Sequence, residues 1–269
     1  MSILVLISSF PKELPATPLR KVDFAPTEAI GAASSKASMA PCYPPNPTSC
    51  EGDCKQLLEI IQAERAKSSW NGYYGDVASE LFRRGVHEGI FVEIGTAYGG
   101  LSLALLKEHP NLRVFTVDPF LGGYDGRDAM SDLFNSFSEK YGADKFPALW
   151  ARALSYEAGQ LYGCRYANFN ELSHLGAAHF PPRSIDSVFI DGDHTREGVE
   201  RDIEAWRGVL KIGKLMMFND YQQNYWPGVV EAVNDLAAKT EQPVYYLPQR
   251  NWGNVGLFNL PDLFTTWDK

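Results

Sequence analysis

A doubly wound α/β sheet of about seven strands, mostly parallel with an antiparallel last strand and helices on both faces, is the fold class this sequence predicts. Three observations carry it. From about residue 55, short apolar runs alternate with amphipathic stretches of helical spacing. Three of the runs end in an acidic residue, at Glu93, Asp118 and Asp191, as strands do when they deliver polar groups to one sheet edge. The length of 269 residues, 45% hydrophobic and 22% charged, suits one domain of about 200 residues with a full core plus an extension.

Residues 1–50 are rich in Pro, Ala, Ser and Thr, show no sustained period, and are expected to be a disordered or loosely docked extension or an unrecognised leader. Residues 51–269 are expected to form a single domain. Lys55–Lys67 and Val77–Arg84 suit amphipathic helices, the second closed by Gly85. The predicted strands are Ile90–Ile94, Arg113–Val117, Arg165–Phe169, Ser187–Ile190, Leu215–Phe218, Val244–Leu247 and Asn254–Phe258. Between them fall helices at Gly99–Lys107, Asp128–Lys140, Arg196–Leu210 and Pro227–Ala238. Strands separated by helices imply parallel pairing. The link Pro248–Gly253 is too short for a crossover, so the last two strands should pair antiparallel. Gly142–Gly163 reads as extra helical material, a lid or packing.

A net charge of −8 argues against nucleic-acid binding by phosphate neutralisation. No apolar run is long enough to cross a membrane, and Ile3–Phe10 is a poor signal peptide. Cys42, Cys50, Cys54 and Cys164 are too few for a disulfide scaffold. Free thiols are expected, and a zinc site at Cys50 and Cys54 lacks a nearby His. The expected setting is cytoplasmic, or organellar if the extension is a leader.

The segment Phe91-Val-Glu-Ile-Gly-Thr-Ala-Tyr-Gly-Gly-Leu-Ser102 reads as strand, glycine turn and helix. It places the Glu93 carboxylate at a nucleotide-type crevice, with Gly95 turning the backbone and Gly99 leaving room at a helix N-terminus. A plain β-turn-α connection is the alternative. Asp118 stands about 20 residues past the turn, where an acid accepts ribose hydroxyls, though Asp118-Pro119 also suits a turn. Asp191, Asp193 and His194 cluster at one strand tip and Asn219-Asp220 at the next. If these strands are neighbours, Asp191, Asn219 and Asp220 converge, and two carboxylates with an amide oxygen suit Mg²⁺ or a similar cation. Capping by Asp193 or Thr195 and a turn at Asn219-Asp220 form the competing reading. His87, His109, His174 and His179 are expected to be ordinary residues. Val199, Ile203, Trp206 and Leu210 form a packing stripe.

Together these residues resemble the class I S-adenosylmethionine-dependent methyltransferases, which have a Rossmann-like sheet. The likeness is greatest to the group with a Phe-Ile-Asp-Gly-Asp-His strand end, related to macrolide- and aminocoumarin-sugar O-methyltransferases. Here that motif is Phe189-Ile-Asp-Gly-Asp-His-Thr-Arg-Glu-Gly-Val-Glu-Arg-Asp202, followed by Trp206, and the likeness spans about residues 55–260. The resemblance implies that Glu93, Gly95, Thr96 and Gly99 shape the pocket for the methionine part of S-adenosylmethionine. Asp118 would hold the ribose, and Asn170 would lie near the adenine, with Asp191 bordering the cofactor. It implies a cation on Asp191, Asn219 and Asp220, and Asp193 as the base with His194 competing. The chain has Asn-Asp where sugar enzymes carry Asp-Asp.

The implied activity is metal-assisted O-methylation of a small hydroxyl acceptor, a sugar or an aromatic alcohol, by a protein suggested to be a homodimer. Tyr124, Trp150, Tyr221, Tyr225 and Trp226 are candidates to line the acceptor pocket. Other functions remain in play. A nicotinamide-dependent oxidoreductase is disfavoured because Gly95-x-x-x-Gly99 is not Gly-x-Gly-x-x-Gly. A non-catalytic cofactor-binding accessory protein would not need the acidic cluster, and a metal-dependent hydrolase would leave the Glu93 turn without a role.

Overall fold

The computed structural model describes residues 42, 44–121, 129–247, 255–257 and 260. Every described residue belongs to one compact unit, 40–269. Strands β1 (Glu88–Ile94), β2 (Asn111–Val117), β3 (Tyr166–Phe169), β4 (Ile185–Ile190), β5 (Leu210–Phe218), β6 (Tyr245–Tyr246) and β7 (Val255–Leu257) form one sheet in the order β3-β2-β1-β4-β5-β7-β6. The first five are parallel. β7 runs antiparallel to both β5 and β6. The chain thus winds outward from β1 in both directions, which is the Rossmann-like arrangement the alternation predicts. The link at 248–253 lies outside the described residues.

The sheet is buried on both faces, so its strands read as continuous apolar runs while their side chains still alternate. Val92, Ile94, Val188, Ile190 and Met216 enter one core. Helices α7 (Arg196–Arg207) and α8 (Pro227–Thr240) close it with Val199, Ile203, Trp206 and Val233. Phe91, Val114, Phe189 and Met217 enter the other, under Val77 and Leu81 of α2 (Ser68–Arg83) and Leu101 and Leu105 of α3 (Gly100–Glu108); α1 is Asp53–Arg65. Between β2 and β3 stand α4 (Ala129–Tyr141) and α5 (Phe146–Tyr162), and α6 (Ser173–Ala177) follows β3. The extra segment at 142–163 is a packing helix: Phe146, Trp150 and Leu154 of α5 share a third core with Leu57 and Ile61 of α1.

Three expectations are corrected. Helix α2 begins at Ser68 rather than Val77, because two glycines, Gly72 and Gly75, disguise its first turns as a loop. Leu210 continues the helical spacing of Val199, Ile203 and Trp206 but belongs to β5, paired with Ile185, because α7 ends at Arg207. The cysteines are not free: Cys42 is bridged to Cys164 and Cys50 to Cys54. The segment before α1 runs back over α5, where Asn46 Nδ2 donates to the Gly163 carbonyl (2.9 Å) and Arg152 donates to the Ser49 carbonyl. That path brings the Cα atoms of Cys42 and Cys164 to 4.9 Å. Cys54 lies in the first turn of α1 with its Cα 5.2 Å from that of Cys50, and both separations are within bridging range. Of the predicted extension, residues 1–41 and 43 lie outside the described residues. Among the described residues, no helix is long and apolar enough to cross a membrane.

Candidate active site

Parallel strands share a direction, so the residues that follow β1, β2, β4 and β5 all emerge at one sheet edge. There the chain's two winding directions part between β1 and β4, leaving a crevice. A cleft of about 1090 Å³ occupies it, bordered by Gly95, Asp118, Asp191, Asp193, His194 and Asp220.

The turn after β1 is tightly held. Gly95 has φ +76°, and a Cβ there would stand 1.9 Å from the Asp191 carbonyl oxygen, so only glycine lets β1 and β4 close at this edge. Gly99, at φ +71°, is the residue before α3, and Ala97 adopts φ +44° without being glycine. Asp118 gathers the turn from β2. Its Oδ2 accepts from the amides of Thr96 (2.8 Å) and Ala97 (3.0 Å), and its Oδ1 accepts from Phe120 N (2.7 Å). The residue expected at the ribose hydroxyls therefore also clamps the turn. Glu93 is buried and accepts from the hydroxyls of Thr96 (3.0 Å) and Ser102. Burial pushes its carboxyl up to about 8, against the two hydroxyl donors that stabilise the anion.

The second group lies beyond β4 and β5, which pair directly. His194 directs Nε2 toward two carboxylates, 3.4 Å from Asp191 Oδ1 and 3.3 Å from Asp220 Oδ2. Buried though it is, Nε2 forms no aligned hydrogen bond with either. The imidazole is stacked on Trp226 at 4.6 Å. Burial disfavours charge on His194, but the two carboxylates outweigh it and push its pKa up to about 10. Asp191 is raised to about 6, by burial first, with the Asp220 charge adding and His194 opposing. One donor atom each from Asp191, His194 and Asp220 falls within 4.8 Å of the others.

Two of the expected cation ligands, Asp191 and Asp220, belong to this set, and the third, Asn219, lies beside Asp191. Asn219 donates its amide to Asp191 Oδ1 (2.8 Å), and its Oδ1 accepts from Tyr73 Oη (3.0 Å), so it braces the cluster while His194 completes it. Asp193 sits apart: its Oδ1 accepts from Thr195 N (3.0 Å), its Oδ2 pairs with Arg201 (3.2 Å), and it packs over Gly198. Thr195 caps α7 by accepting from Gly198 N. Asn170 donates to the Asp118 carbonyl (3.2 Å) and lines a separate small cavity rather than the cleft. Of the expected acceptor aromatics, Tyr225 and Trp226 border the cleft; Tyr221 instead donates to Asn234, and Tyr124 lies outside the described residues. Trp150 is wholly buried beneath the turn.

Sequence reasoning missed Tyr73 and Tyr74, which line the cleft from the part of α2 disguised by glycines. It also missed His174 and the buried Asp202 on the cleft wall. The signal for Asp202 was present in the Glu-Gly-Val-Glu-Arg-Asp run. Burial lifts the Asp202 carboxyl to about 6.

Residues 92–221 match a family model described as a methyltransferase domain, a span holding both groups of cleft residues from Glu93 to Asp220. The match thus places the likeness to a methyltransferase domain on the stretch that builds the cleft. The chain is similar to the uncharacterized protein R132 of Acanthamoeba polyphaga mimivirus, 28% identical over 158 residues, or 58% of this chain. The match spans 62% of the length of that curated relative. Among solved structures it is similar to CalS11, a calicheamicin methyltransferase (16% identity, TM-score 0.49, 86% of this chain and 99% of that one). It is also similar to a putative O-methyltransferase from Klebsiella pneumoniae (15% identity, TM-score 0.49, 78% of this chain and 91% of that one). The O-methyltransferase TomG from Streptomyces achromogenes, solved with its cofactor, gives 13% identity and a TM-score of 0.47, covering 78% of this chain and 91% of that one.

Proposed function

We propose that this chain transfers the methyl group of S-adenosylmethionine to a hydroxyl of a small acceptor, a sugar or an aromatic alcohol, with help from a divalent cation. One observation carries the reading: the glycine turn and the carboxylate–imidazole cluster open onto the same cleft. The turn at Gly95, Thr96 and Gly99, with Glu93 and Asp118 beneath it, holds the methionine and ribose parts of the cofactor. The sulfonium supplies an activated methyl group, so the chain's own work is to align the acceptor oxygen and remove its proton.

The cluster fits a cation by its donor chemistry. An imidazole nitrogen lies between two carboxylates with no hydrogen-bond partner, and a metal would replace the proton it otherwise holds. Asp191, His194 and Asp220 are the ligands, and Asn219 orients Asp191. A cation there supplies acidification of an acceptor hydroxyl. A ring nitrogen that binds the cation has no lone pair left for a proton, so His194 as a ligand does not serve as the base. Asp193 takes that role, aimed by Thr195 N and Arg201, and a weak carboxylate base suffices once the hydroxyl is acidified. Tyr225 and Trp226 offer the acceptor an aromatic wall on the cluster's side.

The paired cysteines change the expected setting. Disulfides persist where the surroundings are oxidising, so we place the chain in such a compartment rather than in the cytoplasm.

Calorimetric titration with S-adenosylmethionine and S-adenosylhomocysteine, with and without Mg²⁺ or Mn²⁺, tests the reading. Binding of both nucleosides, together with cation-dependent methylation of a hydroxyl acceptor, is expected. No heat with either nucleoside would remove it, and full activity in excess chelator would remove the cation.

A further inference from the structure

The glycine turn is held from outside the sheet as well as from within it. Its amides at Thr96 and Ala97 are taken by Asp118, as described above. Its carbonyls are taken by two side chains from the helical pair that packs beneath it. Trp150 Nε1 of α5 donates to the Ala97 carbonyl (2.8 Å), and Arg65 Nε of α1 donates to the Tyr98 carbonyl (3.1 Å). Arg65 is itself fixed by Glu157 of α5 at 2.6 Å, which also accepts from Gln62 (3.0 Å). Leu154 closes on Gly99, 3.2 Å from where a Cβ would stand, and the Tyr98 ring is buried against Trp150 at 5.9 Å.

Ala97 shows why such support matters. A left-handed backbone at a residue with a Cβ costs about 1–2 kcal/mol and persists where its surroundings over-determine it. A buried indole N–H needs some acceptor, but packing alone does not require that acceptor to be the strained residue of the turn. Nor does packing require a second donor on the next carbonyl. Neither Trp150 nor Arg65 borders the cleft, so neither can touch a ligand there directly.

We propose that the α1–α5 pair is the positioning element of the cofactor turn, with Trp150 and Arg65 as positioning residues that hold residues 97–99 in the binding shape. The proposal rests on the reading that this turn binds S-adenosylmethionine. Its direct consequence, however, is a property of the ligand-free protein: the turn's amides should be protected from exchange, and that protection should depend on both donors.

The test uses Trp150→Phe, which keeps an aromatic ring and removes the N–H, and Arg65→Gln. Each loses a hydrogen bond to a buried carbonyl, so the Kd for S-adenosylhomocysteine should rise about tenfold. The kcat at saturating cofactor should stay within about threefold, because the missing energy is recovered once the turn is occupied. Amide hydrogen exchange at residues 97–99 of the free protein should accelerate in both variants while exchange in β4 and β5 is unchanged. Arg65→Lys should recover part of the affinity. If Trp150→Phe fails to fold, Arg65→Gln alone decides, since Arg65 lies at the edge of the pair. Unchanged exchange at 97–99 with a Kd within twofold of the parent overturns the proposal. If the parent protein binds no S-adenosyl nucleoside, the cofactor reading fails, and the exchange experiment still decides whether the pair holds the turn.

Discussion

The two halves of the cleft are built on opposite principles. At the ends of β1 and β2 the turn is tied down by side chains: Asp118 takes the amides of Thr96 and Ala97, Trp150 and Arg65 take the carbonyls of Ala97 and Tyr98, and Thr96 and Ser102 donate to Glu93. At the ends of β4 and β5 three ionisable groups face one another, and the imidazole nitrogen between the carboxylates has no aligned bond. A satisfied network is rigid and presents a fixed shape, whereas an unsatisfied one retains affinity for whatever completes it. The first half is thus suited to bind an elaborate organic ligand by shape, and the second to take an ion. Sharing one cleft, they can bring a donor and an activated acceptor together.

The largest expected effect breaks the rigid half. In Gly95→Ala the new methyl meets the Asp191 carbonyl at 1.9 Å, in a backbone region that alanine resists. Because that carbonyl belongs to the residue after β4, the substitution displaces both halves at once. Calorimetry should show no measurable S-adenosylhomocysteine binding, and activity should vanish. A variant that still bound tightly would mean that the turn is more compliant than its hydrogen bonds suggest.

Next in size is the unsatisfied half alone. His194→Ala or Asp220→Asn should lower kcat/KM at least about a hundredfold, the scale of a lost metal ligand or its support, while nucleoside affinity stays within about threefold. The sign of the pH effect follows from His194. Its proton, held up to a pKa of about 10, must leave for a cation to bind, so Mn²⁺ titrations at pH 7 should release close to one proton and affinity should fall as pH falls. Buffers of different ionisation enthalpy read this directly, and absence of proton release would exclude His194 as a ligand.

A smaller effect separates the halves by their supports. Cys50–Cys54 braces the start of α1, and Cys42–Cys164 ties the covering segment to the end of α5. Opening the longer bridge, whose cysteines are 122 residues apart, should cost about 5 kcal/mol and lower Tm by about 10–20 °C. In the still-folded reduced protein, nucleoside affinity should weaken more than cation affinity, because α1 and α5 hold the turn and not the cluster. Equal losses in both would show that the bridges act on the whole fold.

Much of this division was legible in the residues. The strand ends could be found because a buried parallel strand must be apolar until it reaches the edge, so Glu93, Asp118 and Asp191 stand out as polar terminations. Their convergence followed from parallel topology alone. What stayed hidden depends on partners distant in sequence. Asp118 was readable as an acid at the right place but not as the clamp of Thr96 and Ala97. Tyr73 and Tyr74 were masked by neighbouring glycines, although tertiary packing carries α2 through them. The approach of His194 to Asp191 and Asp220 turns on the direction of one ring, which spacing does not encode. The Cys42–Cys164 pairing was missed because composition alone does not show that the segment before α1 folds back over α5.

The smallest expected effect probes how complete the rigid half is. Glu93 has its carboxyl raised to about 8 in the folded protein against 4.5 for the free group. Between those values the folded state retains a proton that the unfolded chain has released, so stability should decline as pH rises from about 4.5 and level off above about 8. Glu93→Gln keeps the size and an acceptor oxygen for Thr96 and Ser102, and removes the titration. Urea unfolding of both proteins at pH 5.5 and 8.5 isolates the contribution, since Asp191, Asp202 and His194 titrate in each and cancel in the difference. The parent should lose more stability between the two pH values than the variant. Equal losses would mean that the hydroxyls of Thr96 and Ser102 hold Glu93 as an anion. The turn would then present a buried negative charge toward the sulfonium, and electrostatics would join shape in selecting the cofactor.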